Sequence, residues 1–297
     1  MTLKALYEVL APAKLNLFLH VVGRRDDGYH LLQSVFVPID WADTLHFERR
    51  DDGRLQRHDL GPALPADDLS LRAATLLQRE SGTPLGADIH VLKRVPWGAG
   101  LGGGSSDAAT TLVALNRLWG LRWPRSRLLA LAARLGADVP FFIAGTPAFV
   151  EGIGERLTPI ELPPMRFAVV KPAASVSTPA VFGDPRLTRD TVPVILAGFL
   201  ADIARDRGAT SELFGRNDLE PVAEALCAEV GQARQWLAAR FGPARMSGSG
   251  SAVFARIDDG DSSVATPGSE VFDTLPPGWT GRLTRSLPVH PLAHWAD

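Results

Sequence analysis

The stretch "VPWGAGLGGGSSDAATTL" (Val95–Leu112) gathers Gly98, Gly100, Gly102, Gly103 and Gly104, followed at once by Ser105, Ser106 and Asp107. These residue types hold anions. Glycine lets backbone N–H groups approach a phosphate with no Cβ in the way. A helix opening directly after the glycines adds its unbonded first N–H groups and the positive end of its dipole. The Walker pattern is absent, because no lysine follows the glycines. If phosphoryl transfer occurs here, its positive charge must come from elsewhere in the chain. Gly98, Gly100 and Gly103 satisfy G-x-G-x-x-G, but a dinucleotide-binding unit wants an acidic residue about 20 positions on. None occurs between Asp107 and Asp138. The H-R-D and D-F-G elements of protein kinases and the G-x-S-x-G elbow are also missing. A phosphate loop without a Walker lysine is what remains.

The elements that must position this loop are legible. "ADIHVLKRV" predicts a strand entering it. Ala108, Leu112, Leu115 and Trp119 predict a helix leaving it, closed by Gly120. A second helix is expected from Pro124 to Gly136. Upstream, Leu15, Leu17, Leu19 and Val21 alternate with Asn16, Phe18 and His20, which predicts a strand carrying Lys14 and Asn16 on the face opposite the leucines. "GYHLLQSVFVPI" and "DTLHFER" predict two more strands, and "DDLSLRAATLLQRE" a helix. The composition breaks at "ELPPM", which places a domain boundary there, giving 1–161 and 162–297. The second part is expected to hold the strand "RFAVVKP", helices around 192–206 and 218–240, "SGSGS" running into the strand "AVFARI", and a last strand near 282–287.

Composition narrows the function. The chain has 297 residues, 45% hydrophobic and 22% charged, enough for a sizeable core. A net charge of −2 leaves no electrostatic footprint for nucleic acid or an anionic membrane, so a small-molecule partner is expected. The single cysteine, Cys227 in "EALCAEV", excludes an internal disulfide framework and reads as a buried thiol on a helix. The N-terminal segment is interrupted by Glu8 and Lys14 and has no uncharged run of membrane-spanning length, so a cytoplasmic protein is expected. Lys14 is one of only four lysines among 31 basic residues. Inside an apolar strand it is either functional or snorkels at a strand end. Asp138, before Val139-Pro140, is either functional or a helix cap.

"PWGAGLGGGSSDAA" resembles the phosphate loop of the GHMP kinases (galactose, homoserine, mevalonate and phosphomevalonate kinases). The segments "PAKLNLFL", "RRDDGYHLLQSVF", "GADVPFF", "NDLEPVA" and "MSGSGSAVFA" extend the similarity from about residue 10 to 256, toward the branch acting on a cytidine diphosphate alcohol. The resemblance implies an α+β, two-domain fold: an ATP-binding first half like domain 2 of ribosomal protein S5, and a ferredoxin-like second half that binds substrate. It implies ATP-dependent phosphorylation of an alcohol in isoprenoid precursor synthesis by a monomer or weak homodimer. The shared half-fold makes an RNA-binding module the competing reading, which the charge balance opposes.

The same resemblance implies the site. Lys14 and Asp138 match the catalytic pair, so Lys14 replaces the absent Walker lysine. Asp138 would orient the hydroxyl and take its proton late, and Lys14 would keep it ionised and neutralise the transferring group. Asn16 would position the hydroxyl. Pro96, Trp97, Gly98, Ala99, Gly100, Leu101, Gly102, Gly103, Gly104, Ser105 and Ser106 match the ATP loop, and Lys93 a purine-side contact. Mg²⁺ is implied, with Ser106 a candidate ligand and water supplying the rest. Asp107 is read as favouring the helix dipole. Tyr29 and Phe182 match rings that sandwich cytosine, His30 the reader of its edge, and Thr178 a contact to the diphosphate. Asp68-Leu69 stands where the family has Asn-Leu near adenine, and Trp97 is bulkier than usual. "SGSGS" is expected to form an anion nest.

Overall fold

The computed structural model describes residues 3–66, 68–206, 214–257 and 269–296. A first sheet contains β1 (Ala5–Arg24), β2 (His30–Arg50), β3 (Leu55–Asp59), β4 (Gly86–Leu92), β5 (Ala148–Glu151) and β6 (Arg156–Pro159). Their order is β3-β4-β2-β5-β6, with β1 antiparallel to β2. The two strands expected across residues 28–49 are one. Pairing with β1 carries β2 through Ala42 and Asp43, while the intervening Asp40 accepts from Arg285 N at 2.9 Å. β3 and β4 are parallel, connected through α1 (Leu69–Ser81). Asp68 caps α1 by accepting from Leu71 N at 2.8 Å, and Gly82, at φ +65°, ends it.

α2 (Gly103–Leu118), α3 (Arg125–Ala132) and α4 (Val139–Ala144) complete the first half. Leu77, Leu112 and Leu115 pack with Leu45, Phe47 and Ile89 into one core. α3 stops at Ala132, short of Gly136, because the last residues tighten into i→i+3 bonds (Arg134 N to Leu131 O, Leu135 N to Ala132 O).

The second sheet has β7 (Arg166–Lys171), β8 (Ala244–Met246), β9 (Val253–Ile257) and β10 (Thr280–Arg285) in the order β10-β7-β9-β8, all antiparallel. That is the fourth, first, third and second strand of the half, the ferredoxin-like arrangement. Between β7 and β8 lie α5 (Thr178–Gly183), α6 (Leu196–Asp206), α7 (Glu220–Leu226) and α8 (Ala228–Phe241). The single helix expected over 218–240 is broken at Cys227, whose backbone is extended (φ −146°, ψ 99°). The break lets Val222 and Ala223 on α7 and Val230, Ala233 and Leu237 on α8 reach one core. Cys227 is therefore a half-buried thiol between helices, not a buried one within a helix.

The two sheets share a core in which Leu15, Val37 and Ile39 meet Phe167, Val169 and Phe254. After β10 the chain returns to the first half: Leu287 N bonds Pro38 O at 2.8 Å, and His290 N bonds Gly145 O at 2.7 Å. His290 is buried there; its Nδ1 accepts from Leu292 N at 3.1 Å, and its Nε2 has no partner. Burial, and then the Arg125 charge, push its pKa down to about 4. The unfolded chain would bind a proton near pH 6.5 that the folded one refuses. The stability held by neutral His290 is therefore full above pH 6.5 and falls by about 3 kcal/mol as pH drops to 4. His290→Asn should flatten the dependence of urea-unfolding free energy on pH over that window. An unchanged slope would show that the tail is insensitive to this group.

Candidate active site

The glycine stretch leaves β4 and turns into α2 through three left-handed residues, Gly98 (φ +57°), Gly100 (φ +71°) and Gly102 (φ +70°). Gly102 is the cap of α2 and offers no side-chain acceptor, so the helix's first N–H groups have no capping side chain. The loop is braced from far away in sequence. Ser251 N bonds Gly98 O at 3.2 Å, Ala252 N bonds Ala99 O at 3.1 Å, and Ser247 Oγ bonds Gly100 O at 3.2 Å. A Cβ on Gly100 would sit 2.1 Å from Ser247 O. The expected anion nest is thus first a brace, since Ser247, Gly250, Ser251 and Ala252 already use their N–H groups.

Two cavities flank the loop. One, of about 370 Å³, is lined by every residue from Pro96 to Ser105. Ser106 stands behind this wall, fully buried, and lines neither cavity. Lys93 lines the first cavity, but its Nζ pairs with Asp107 Oδ2 at 2.6 Å and with Asp43. Its charge is engaged by two carboxylates, on the wall where the resemblance put a purine-side contact. Asp107 likewise is not a carboxylate merely facing the helix dipole. It is buried, its Oδ2 pairs with Lys93, and burial pushes its carboxyl above the ordinary range. Asp43, the other carboxylate on this lysine, also accepts from Arg94 N and Val95 N at 2.5 and 2.8 Å. The triad ties the start of α2 to β2. A Cβ on Gly103 would meet Val95 and Lys93 rather than open cavity. Asp68 lines the cavity with its carboxylate held by Arg57 and by the cap of α1.

Trp97 is 50% exposed on the same wall. Adding ATP should change its fluorescence, and the change should vanish in Trp97→Phe. A full signal in that variant would place the nucleotide away from this indole.

The second cavity, about 780 Å³, is lined by Lys14, Asn16 and Asp138 and also by Tyr29, His30, Thr178 and Phe182. Lys14 is 3% exposed. Its Nζ lies 3.5 Å from Asp138 Oδ2, donates to Asn16 Oδ1 at 2.5 Å, and sits 4.4 Å from the centre of the Phe36 ring. A buried ammonium needs this company, because burial without partners is unfavourable by several kcal/mol. Asp138 opens α4, yet its side chain makes no capping bond there. The snorkelling and capping alternatives both give way to an ion pair on the cavity wall.

Asn16 holds Lys14 with its oxygen and Ser34 Oγ with its nitrogen at 2.9 Å, which leaves one amide hydrogen for a substrate. Strict alternation fails after it. A register shift between Asn16 and Leu19 buries both Leu17 and Phe18, in the core between the sheets.

Tyr29 is 60% exposed, and among the described residues its ring meets no other. Phe182 faces His30 with ring centres 5.0 Å apart and planes 33° apart. Thr178 Oγ1 lies 2.6 Å from Ser249 Oγ. Sequence reasoning missed Ser34, Phe36, Ser249 and Arg189. The serine in "SGSGS" was the one visible signal; the others are defined only by strand pairing and loop return. Gly98, Gly100 and Gly102 line both cavities.

The GHMP kinases N terminal domain family matches residues 68–146, and the GHMP kinases C terminal family matches residues 199–265. A 4-diphosphocytidyl-2-C-methyl-D-erythritol kinase of Methylibium petroleiphilum is 64% identical over 296 residues, covering 100% of both chains. The chain belongs to the 4-diphosphocytidyl-2-C-methyl-D-erythritol kinase family. A crystal structure described as 4-(cytidine 5'-diphospho)-2C-methyl-D-erythritol kinase is 38% identical with a TM-score of 0.79, covering 94% of this chain and 98% of that one. L. major mevalonate kinase, at 17% identity and a TM-score of 0.72, covers 97% of this chain and 98% of its own and shares the fold. As a member of this kinase family the chain is a small-molecule kinase that uses ATP. Among its described residues no helix is long and apolar enough to cross a membrane.

Proposed function

We infer that this chain transfers the γ-phosphoryl group of ATP to the 2-hydroxyl of 4-diphosphocytidyl-2-C-methyl-D-erythritol, a step toward isoprenoid precursors. The relatives carry that name. The observation that carries the reading is the wall of Gly98, Gly100 and Gly102 common to both cavities. A nucleotide on one side and an alcohol on the other would meet across backbone that has no side chains.

The residues present fit ATP, since the loop from Pro96 to Ser105 walls a cavity at the start of α2, whose first N–H groups have no capping side chain. Mg²⁺ would neutralise phosphate charge in the transfer. Two buried oxygens at the start of α2, Ser106 Oγ and Asp107 Oδ1, have no partner; Asp107 lines the nucleotide cavity and is the candidate donor, whereas Ser106, the donor expected from the resemblance, stands behind the wall. Among the described residues no cluster of three His, Cys, Asp or Glu side chains forms a metal cage, so phosphate and water would supply most of the shell.

Asp138 would orient the 2-hydroxyl and accept its proton as the oxygen bonds to phosphorus. A loose transition state asks chiefly for position and charge. Lys14, held by Asn16 and Phe36, would face the charge that builds on the transferring group. Tyr29 and Phe182 would stack on the pyrimidine, and Thr178 would meet the diphosphate. We place ATP binding in residues 1–161, with residues 162–297 as the substrate domain that brings Thr178 and Phe182 to the Tyr29, His30 and Asn16 of the first, in a cytoplasmic monomer or weak homodimer.

The test supplies purified protein with Mg-ATP and, separately, the cytidine diphosphate alcohol, homoserine, mevalonate and galactose. Only the first should be phosphorylated. Carbon 2 carries a methyl group and no hydrogen, so the product's monoester phosphorus should show no three-bond proton coupling. Turnover of another alcohol, or a coupled phosphorus signal, would overturn the assignment.

A further inference from the structure

We propose that Arg189 is a positioning residue that dictates which nitrogen of His30 carries a hydrogen, and so makes the pyrimidine end of the cavity select cytosine over uracil. This rests on the cytidine reading above.

Arg189 follows α5 and is not a free surface arginine. Its Nη1 donates to Leu187 O at 2.9 Å, its Nη2 to Phe182 O at 3.0 Å and Asp184 O at 2.8 Å, and its Nε to His30 Nε2 at 3.1 Å. The loop that carries it is pinned to the first sheet. Thr191 N bonds Val21 O at 3.1 Å, and Val194 N bonds Gln33 Oε1 at 2.7 Å. One guanidinium therefore fixes the backbone behind one wall of the slot, Phe182, and the ring of its neighbour, His30.

A guanidinium has donors only. The ring nitrogen facing it must present a lone pair, so neutral His30 carries its hydrogen on Nδ1. A second ring proton would set N–H against N–H and cation against cation. Burial first, then the charges of Arg189 and Arg24, hold the pKa of His30 below its ordinary value. Among the described residues nothing accepts from Nδ1, and His30 lines the cavity. The site thus shows a fixed donor. Cytosine N3 accepts a hydrogen bond, whereas uracil N3 carries a hydrogen. A donor meets an acceptor in the first case and another donor in the second, and sites built on a hydrogen bond reject the mismatched analogue strongly.

The experiment compares wild type, Arg189→Lys and Arg189→Gln. Lysine still has donors only, so it should keep the His30 tautomer. Glutamine can donate or accept, so it should release it. The kcat/KM for the cytidine substrate and its uridine counterpart is measured for each. The His30 tautomer is read from ¹⁵N shifts of the free proteins, assigned with His30→Gln. Wild type should favour cytidine by about 10² or more. Arg189→Lys should hold that ratio within a few fold, and Arg189→Gln should lower it at least tenfold with a mixed tautomer. A purely structural arginine would weaken both substrates alike and leave the ratio standing. An unchanged ratio in Arg189→Gln, or an Nε2–H tautomer in wild type, would overturn the proposal. If wild type turned over neither substrate, the functional reading would fall, and the tautomer measured on the free proteins would still decide the role of Arg189.

Discussion

Asp138→Asn lowers kcat by about 10²–10⁴ with little change in KM, and Lys14→Met does the same. The double variant is little worse than either single one, because the two groups act as a unit across 3.5 Å. Methionine at position 14 fills the space of the lysine stem beside Phe36, but it leaves Asn16 Oδ1 and the partly exposed Asp138 carboxylate without their cation, so it should cost about 1–3 kcal/mol of stability. The loss of turnover should far exceed what that cost explains. Steady-state kinetics and a thermal melt on the same preparations check both. A fall in melting temperature with turnover intact would show Lys14 to be a structural cation.

Gly100→Ala should be among the most damaging single methyls in the described chain. The residue sits at φ +71°, which an L side chain rarely adopts, and the added carbon would lie 2.1 Å from Ser247 O. The loops must separate, so the bond from Ser247 Oγ to Gly100 O breaks and those from Ser251 and Ala252 loosen with it. A loss on the order of 3–5 kcal/mol is expected, together with loss of nucleotide binding by calorimetry. Gly104→Ala is the contrast. It lies inside α2, where alanine is about 1 kcal/mol more favourable than glycine, and its Cβ would meet only Leu69 at 3.9 Å. If both variants melted alike, the contact between the loops would not constrain the glycine.

Local signals in the sequence were strong where the cause was local. The 3.6-residue period of α1 and α2 and the closing Gly120 depend on neighbours along the chain. Lys14 and Asn16 share a face because they are two apart on a strand. The alternation beyond them misled because the bulge after Asn16 is set by pairing with β2, which no short window contains. Asp138 could not be told from a cap, since the decision lies with a lysine 124 positions away. The partners of Lys93 were invisible for the same reason: its two carboxylates, on β2 and α2, come together only in the folded chain. Arg189 carries no sequence signal at all, being one of many arginines until its loop returns to β1 and β2.

The brace between residues 98–100 and 247–252 also sets a schedule for the protein's birth. Gly98 leaves the ribosome 153 residues before Ser251, an interval of roughly 8–30 s at ordinary elongation rates. Within it the first sheet can be completed, but the apolar side chains of Leu15, Val37 and Ile39 gain Phe167 and Val169 only part-way through and still await Phe254 at its end, as the loop awaits its brace. Chains halted before β9 should therefore emerge without a nucleotide site and with a sticky face. The order of synthesis makes ATP binding one of the last properties the molecule acquires.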